Sequence, residues 1–432
     1  MKPCCICQTL IQPFISFGRM PIANGFLTPD EFAGEYFYNL GAGVCPKCHM
    51  VQLTELVDPG KMFHEQYAFF SSTSVRMAEH FQRFAEGVCA RYLGMNCKAG
   101  LGERGSGAHG VTRPTSPNRS KNDPFVVEIG SNDGVMLQHF ARAGVRHLGI
   151  EPSANVAEVA RGKGVQTICE FFDEALARRI VSEHGQADAF LGANVMCHIA
   201  DLNSVVAGIK LLLRARGVLI FEDPYLGDII EKTAYDQIYD EHAFYFSVTA
   251  LDHLFAQHGL EIVDLSPQPV HGGSMRYTVA QRGAMAVSAA VVLQREKERA
   301  LGLEQPATFE QFRRNVEKSR DELLALLRRI KMEGKRVVGY AATSKSTTVT
   351  NYCDITPELV EFISDTTPIK QGKFSPGAHI PVRPYAEFAA RYPDYALLFG
   401  WNHGEEIMAK EKNFTAAGGK WILYVPRVMV LE

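Results

Sequence analysis

FVVEIGSNDGVMLQHFARAGVRHLGIE, residues Phe125–Glu151, is the stretch from which the fold is read. Phe125-Val126-Val127-Glu128-Ile129 predicts a buried strand, Gly130-Ser131-Asn132-Asp133-Gly134 a tight turn, and Val135 to Arg142 a helix with Val135, Leu137 and Phe140 inward. A second strand, His147 to Ile150, ends in Glu151. Strand, glycine turn, helix and strand in this order make half of a doubly wound α/β unit, which binds ligands at the carboxyl ends of its strands. Gly130 and Gly134 let backbone approach a ligand at the helix amino terminus, and Glu151 is placed to accept a hydrogen bond from a ribose hydroxyl. Alone, these features suit a dinucleotide or S-adenosylmethionine. The G-x-G-x-x-G spacing is absent and Glu128 sits two residues before Gly130, which favours S-adenosylmethionine. Glu128, Gly130, Asn132, Gly134 and Glu151 are the candidate cofactor contacts.

Downstream, strands are expected at Asp188 to Asn194, Val218 to Phe221, Leu260 to Leu265 and Met275 to Ala280. The antiparallel-looking end of that series fits a class I methyltransferase sheet. Asn194, His198 and the loop from Asp223 then lie at strand ends, where ligands bind. That loop, Phe221 to Ser247 (FEDPYLGDIIEKTAYDQIYDEHAFYFS), is long for a connection inside a compact domain. It gathers Tyr225, Tyr235, Tyr239, Asp240, Glu241, His242 and Tyr245, side chains able to move protons near neutral pH. Packed tyrosines and solvated acids are the plainer reading of such a loop. For His198 that reading is a helix-start residue satisfied by local backbone.

Upstream, Cys4-Cys5-Ile6-Cys7 and Cys45-Pro46-Lys47-Cys48 form two C-x-x-C knuckles beside hairpin-like runs at Phe37 to Val44 and Met50 to Glu55. Cys4, Cys7, Cys45 and Cys48 would give structural zinc its four sulfurs, with Cys5 to spare. Unmetallated turns are the alternative, and a redox pair is disfavoured because neither knuckle opens a helix after a strand. Phe63 to Ser74 is aromatic and hydroxyl-rich. It leads into a helix with Met77, Phe81, Phe84, Val88 and Tyr92 on one face. Residues 97–123 turn to Gly, Ser, Arg, Pro and Asn without periodicity and read as a flexible surface insertion.

After Ala284 come two helices, the second opened by a capping box at Thr308 to Gln311, and then a second Rossmann-like unit. Its strands are expected at Lys335 to Ala342, Leu359 to Ile363, Ala396 to Phe399 and Trp421 to Val425. The hydroxyl-rich turn Thr343 to Thr348, opening a helix, could hold a phosphate.

The 432 residues, 46% hydrophobic, suffice for two or three domains, and a net charge of -3 gives no sign of bulk attraction to nucleic acid or anionic membrane. Ten cysteines in so long a chain do not make a disulfide scaffold. The amino terminus lacks an apolar signal core and no apolar run is long enough to span a bilayer, so a cytoplasmic location is expected. The chain is expected to be a monomer with no membrane or nucleic-acid partner.

Together the paired knuckles, VEIGSNDG, ANVMCHIADL, FEDPYLGDII with YDEH, HGGS at His271 to Ser274, and SDTTPIKQGKFSPGAHIPV give the chain a likeness to a known family. It resembles the C-3 methyltransferases of nucleotide-linked 4-keto deoxysugars. The likeness spans the whole chain apart from 97–123, and departs from relatives at Ala341 to Thr347. It implies a zinc-binding domain at 1–75, an S-adenosylmethionine-binding domain at 76–285 and a nucleotide-sugar-binding Rossmann-like domain at 286–432. It implies His242 as the base that strips a proton beside the ketone, with Glu241, Tyr239, His198 and Tyr67 around it. Asn194 joins the cofactor contacts. Tyr225, His271, Lys345, Lys370 and Gln371 are the implied contacts to a nucleoside diphosphate 4-keto deoxysugar, although ordinary solvated side chains remain as good a reading of Lys345, Lys370 and Gln371. Methylation of a sugar oxygen or nitrogen, and a zinc-ribbon protein that senses S-adenosylmethionine, stay open as alternatives.

Overall fold

The structure, a computed structural model, describes residues 2–62, 75–95, 97 and 123–432. Strands β1 (Gln12–Pro21), β2 (Phe37–Val44) and β3 (Val51–Leu53) open the chain. There follow β4 (Phe125–Ile129), β5 (Arg146–Ile150), β6 (Thr167–Ile168), β7 (Ala187–Ala193), β8 (Leu213–Pro224), β9 (Phe244–Tyr245), β10 (Leu260–Gln268) and β11 (Ser274–Gln281). The last third supplies β12 (Val337–Tyr340), β13 (Ile363–Asp365), β14 (Val382–Pro384), β15 (Tyr395–Leu398), β16 (Lys420–Leu423) and β17 (Met429–Leu431).

The central sheet runs β6-β5-β4-β7-β8-β11-β10. Its first five strands are parallel, and β11 lies antiparallel to both β8 and β10. This is the class I methyltransferase sheet. Strand order reverses at β4, so the turn after Ile129 opens at the switch point where open α/β sheets take ligands. Phe125, Val126, Val127 and Ile129 are buried, as a strand covered by helices on both faces requires. Gly130 adopts φ +60°, and a β-carbon there would lie 2.6 Å from Val195 Cγ2. Gly130→Ala should therefore cost about 1–3 kcal/mol of stability, from backbone strain and overpacking, and a denaturant titration would read the loss. An unchanged midpoint would show that the turn relaxes freely. The helix after the turn starts at Leu137, two residues later than Val135, because the chain takes a further turn closed by Gln138 N–H donating to Gly134 O at 3.0 Å.

The carboxy-terminal sheet runs β14-β13-β12-β15-β16-β17, a doubly wound order with one antiparallel edge strand. The strand expected at Leu359 to Ile363 begins only at Ile363, since Leu359 and Val360 N–H groups donate to Thr356 O in a turn. The helix Pro306–Met332 starts before the expected capping box, with Pro306 in its first turn. The Thr308 hydroxyl bonds back to Gly302 O at 2.8 Å instead of capping. Phe309, Phe312, Val316, Leu323, Leu327 and Ile330 form its buried stripe and share one core with β1, β2 and β12.

The amino-terminal sheet runs β1-β2-β3-β9, and its last strand comes from the long connector. Tyr245 pairs with Val51 and Phe244 with Gln52. The connector is thus folded: a helix at Leu226–Lys232, a 3₁₀ turn at Tyr235–Gln237, then β9. Between Phe221 and Val248 only Asp228, Glu231 and Lys232 are not buried, which excludes the solvated-loop reading. Cys89, in the helix Val75–Tyr92, is disulfide-bonded to Cys97. Thus Cys97, expected to begin the loose insertion, is tied back to that helix, and two of the ten cysteines are bridged where ligands or buried thiols were expected. No helix among the described residues is long and apolar enough to cross a membrane.

Candidate functional site

A cleft of about 190 Å³ opens at the carboxyl end of β4. Gly130, Asn132, Glu151, Asn194, His198 and His271 line it, with Phe171 and Phe172 among its apolar walls. Both Glu151 oxygens accept backbone N–H bonds, from Asn132 at 3.0 Å and Ser153 at 2.9 Å, which fix the carboxylate at the cleft. Glu128, in β4 just before Gly130, is buried, and burial and then the charges of Glu151 and Asp133 push its pKa well above the usual carboxylate range. Glu128 Oε2 and Asn194 Oδ1 have no hydrogen-bond partner among the described residues. Two buried polar atoms without partners, beside a glycine whose added β-carbon would meet Val195, fit a ligand that brings its own hydrogen-bonding groups, as S-adenosylmethionine does. Gly134 stands apart: its positive φ and close approach to Val165 serve helix packing.

His242 lies one ring behind this cleft. Its ring stacks on His198 with centroids 5.3 Å apart. Its Nδ1 lies 2.8 Å from Gln237 O, a pure acceptor, so Nδ1 carries the proton and Nε2 the lone pair. The Tyr239 hydroxyl sits 2.9 Å from Nε2 and donates to it. Burial, then the neighbouring His198, pulls the His242 pKa well below the usual histidine value. His198 keeps some surface toward the cleft yet falls to about 3, and His271 to about 4, burial being the larger cause for each. All three imidazoles are neutral at physiological pH.

Glu241 and Asp240 are held by the amino-terminal segment. Asn24 Nδ2 donates to Glu241 Oε1 at 2.6 Å and to Ser344 Oγ at 2.7 Å, and Ala23 N–H donates to Asp240 Oδ1 at 2.9 Å. Asn24 thus ties the connector to the start of the helix Ser344–Tyr352. Burial raises both acids, Asp240 to about 8. The hydroxyl-rich turn is spent on the same junction, which corrects its reading as a phosphate cradle. Thr343 caps the helix Ser344–Tyr352, Thr347 donates to Ala23 O and Thr348 to Ile238 O.

Among the implied substrate contacts, Lys345 Nζ donates to Asn402 Oδ1 at 3.0 Å above the Trp401 ring, and burial lowers it to about 8. Lys370 donates to Ala342 O at 2.7 Å and Gln371 to Asp365 O at 3.0 Å. Neither lysine is a solvated surface cation. Tyr225 is turned away: its buried hydroxyl donates to Glu298 at 3.0 Å and accepts from Gln294, which corrects its expected place at the substrate. Tyr67 lies outside the described residues. Asn24, and Asp236 within the connector, are not among the expected site residues, since what marks them is partners from distant segments: Glu241 and Ser344 for Asn24, Trp401 and Tyr424 for Asp236.

At the far end of the amino-terminal sheet the two knuckles repeat each other. Gln8 N–H donates to Cys4 O and His49 N–H to Cys45 O, each at 3.0 Å. The Cys4 and Cys48 sulfurs lie 3.6 Å apart, and those of Cys7 and Cys45 3.4 Å. All four fall within 4.8 Å of one another, a donor set and spacing that fit tetrahedral zinc. Cys5 turns aside to Gln52, which resolves the spare thiol.

Residues 4–63 match the family described as "Putative zinc binding domain", 108–265 "Methyltransferase domain" and 269–426 "C-methyltransferase C-terminal domain". The C-methyltransferase NovU of Streptomyces niveus is 32% identical over 97% of this chain and 94% of its own. The chain belongs to the C-methyltransferase family. Two solved structures are similar in part. Magnesium protoporphyrin IX methyltransferase ChlM of Synechocystis is 15% identical over 50% of this C-methyltransferase and 88% of its own chain, at TM-score 0.33. A methyltransferase of Anabaena variabilis is 15% identical over 38% of this chain and 79% of its own, at 0.31, and neither adds to the family match. As a C-methyltransferase the protein is an enzyme that uses S-adenosylmethionine and carries zinc, which sets aside the sensor and the heteroatom alternatives. Glu151→Ala should weaken S-adenosylmethionine binding about 10–100-fold, the loss of charge-assisted hydrogen bonds, in a calorimetric titration. An unaltered affinity would remove Glu151 from the cofactor contacts.

Proposed function

We propose that this C-methyltransferase adds a methyl group to carbon 3 of a nucleoside diphosphate-linked 4-keto-6-deoxysugar, with His242 as the base, acting as a monomer in the cytoplasm. In this reading 1–75, 76–285 and 286–432 serve as zinc-, cofactor- and nucleotide-sugar-binding units. S-adenosylmethionine supplies an electrophilic sulfonium methyl, held by Glu128, Gly130, Asn132, Glu151 and Asn194.

A C–H bond beside a ketone breaks readily only when a base stands close and the enolate left behind is stabilised. The observation that carries the reading is the pinned His242 ring, whose lone pair at Nε2 meets the Tyr239 hydroxyl one ring from the cofactor cleft. Burial keeps this base unprotonated. Its weakness as a base is offset where the enolate oxygen gains donors. Tyr239 transfers its hydrogen bond from the ring to that oxygen, and His198, neutral, donates an N–H without adding charge. Glu241, oriented by Asn24, accepts from a sugar hydroxyl or amine. Lys345 and Lys370 face the diphosphate, with His271 and Gln371 beside them. Tyr67 joins the set on family likeness alone.

Incubation with S-adenosylmethionine and a panel of nucleotide sugars, with and without the 4-keto group, tests the proposal. Mass spectrometry should show a gain of one methyl with 4-keto sugars alone, and carbon NMR should put it on the carbon beside the ketone. Methylation of reduced sugars to the same extent would contradict the mechanism.

A further inference from the structure

We propose that Cys197, His198 and His242 form a second metal site, which takes a thiophilic divalent cation such as zinc and silences the enzyme by occupying the base. Cys197 and His198 lie on the 3₁₀ turn Met196–His198 that follows β7, and His242 lies in the connector above it. One ligand atom from each falls within 4.8 Å of the other two. Four-coordinate zinc, with bonds of about 2.0–2.3 Å, needs donors about 3.3–3.8 Å apart, so only a small contraction is required. One thiolate and two imidazoles suit zinc, with the fourth position left to water. Asp223, itself buried, accepts from Cys197 N–H through Oδ1 at 3.5 Å. Its Oδ2 has no partner among the described residues. Binding a cation expels the thiol proton, and the buried Asp223 carboxylate next to Cys197 can take it. Since Nδ1 of His242 is committed to Gln237 O, the ligand atom is Nε2. The cation therefore takes the lone pair that accepts the Tyr239 hydroxyl, and with it the basicity.

The site itself is independent of the reaction proposed above, whereas the inhibition rests on His242 being the base. The test uses the zinc-loaded enzyme, dialysed to equilibrium against buffered zinc, with bound metal counted by atomic spectroscopy. Wild type should take up a further equivalent, and Cys197→Ser should bind that equivalent at least about tenfold more weakly while keeping the first. Cys197→Ala serves as the second variant if serine folds poorly. No further equivalent in wild type, or equal affinity in the variants, would overturn the site. Occupancy should also stop methyl transfer in step with the further equivalent. Unimpaired transfer at full occupancy would leave the site standing and overturn the silencing together with the reading of His242 as base.

Discussion

His242→Gln is expected to lower the rate of methyl transfer by about a hundred- to ten-thousandfold while leaving affinity for S-adenosylmethionine close to that of wild type. The split follows from position. His242 is separated from the cofactor cleft by the His198 ring, and it does not line that cleft. Glutamine retains a donor for Gln237 O, so the buried carbonyl is not orphaned, yet it offers no lone pair basic enough to take a proton from carbon. Rapid-quench measurement of product with calorimetry of the cofactor separates the two effects. Tyr239→Phe should cost less, because the base survives and only one donor to the oxyanion is lost. If the His242 variant loses cofactor affinity and rate together, the residue is part of the cofactor pocket and another base must be sought.

The second large effect is expected at the other end of the amino-terminal sheet. Cys45→Ser should remove zinc and, with it, most of the activity. Zinc binding by such sets is worth about 10–16 kcal/mol of folding free energy at neutral pH, so a missing thiolate leaves a weak site and a loosened domain. Cys4, Ile6, Cys45, Cys48 and Met50 belong to the core of the central sheet, and Asn203 Nδ2 donates to the Cys5 and Ile6 carbonyls. The same segment carries Ala23 and Asn24, which hold Asp240 and Glu241. Zinc loss should therefore be felt first at substrate turnover and thermal midpoint, and less at cofactor binding. Atomic spectroscopy and calorimetry check both. Full zinc content in Cys45→Ser would show that the knuckles are misassigned.

The central sheet was legible because a strand buried on both faces is a plain apolar run, and its glycine turn has few other uses. The knuckles were legible because four thiols at two matched spacings have few other uses in a long chain. Three features were hidden for physical reasons. β14 and β17 are three residues each, too short to carry a period. The connector, rich in polar residues, reads as a solvated loop, yet those residues are buried because partners come from distant segments: Asn24 for Glu241, Trp401 and Tyr424 for Asp236. The hydroxyls of Thr347 and Thr348 suggest a phosphate cradle in isolation, and only the assembled junction reveals the carbonyls they bind. The misreading of Tyr225 has the same origin, since its partners Gln294 and Glu298 lie about seventy residues away.

The account depends on an imidazole removing a proton from carbon before any methyl group moves. Incubating the enzyme in heavy water with a 4-keto sugar nucleotide and S-adenosylhomocysteine, which cannot donate a methyl, isolates that step. Deuterium should enter at the carbon beside the ketone with wild-type enzyme and not with His242→Gln. Exchange at the same rate in the variant, or none with wild type that methylates the same sugar, would contradict it.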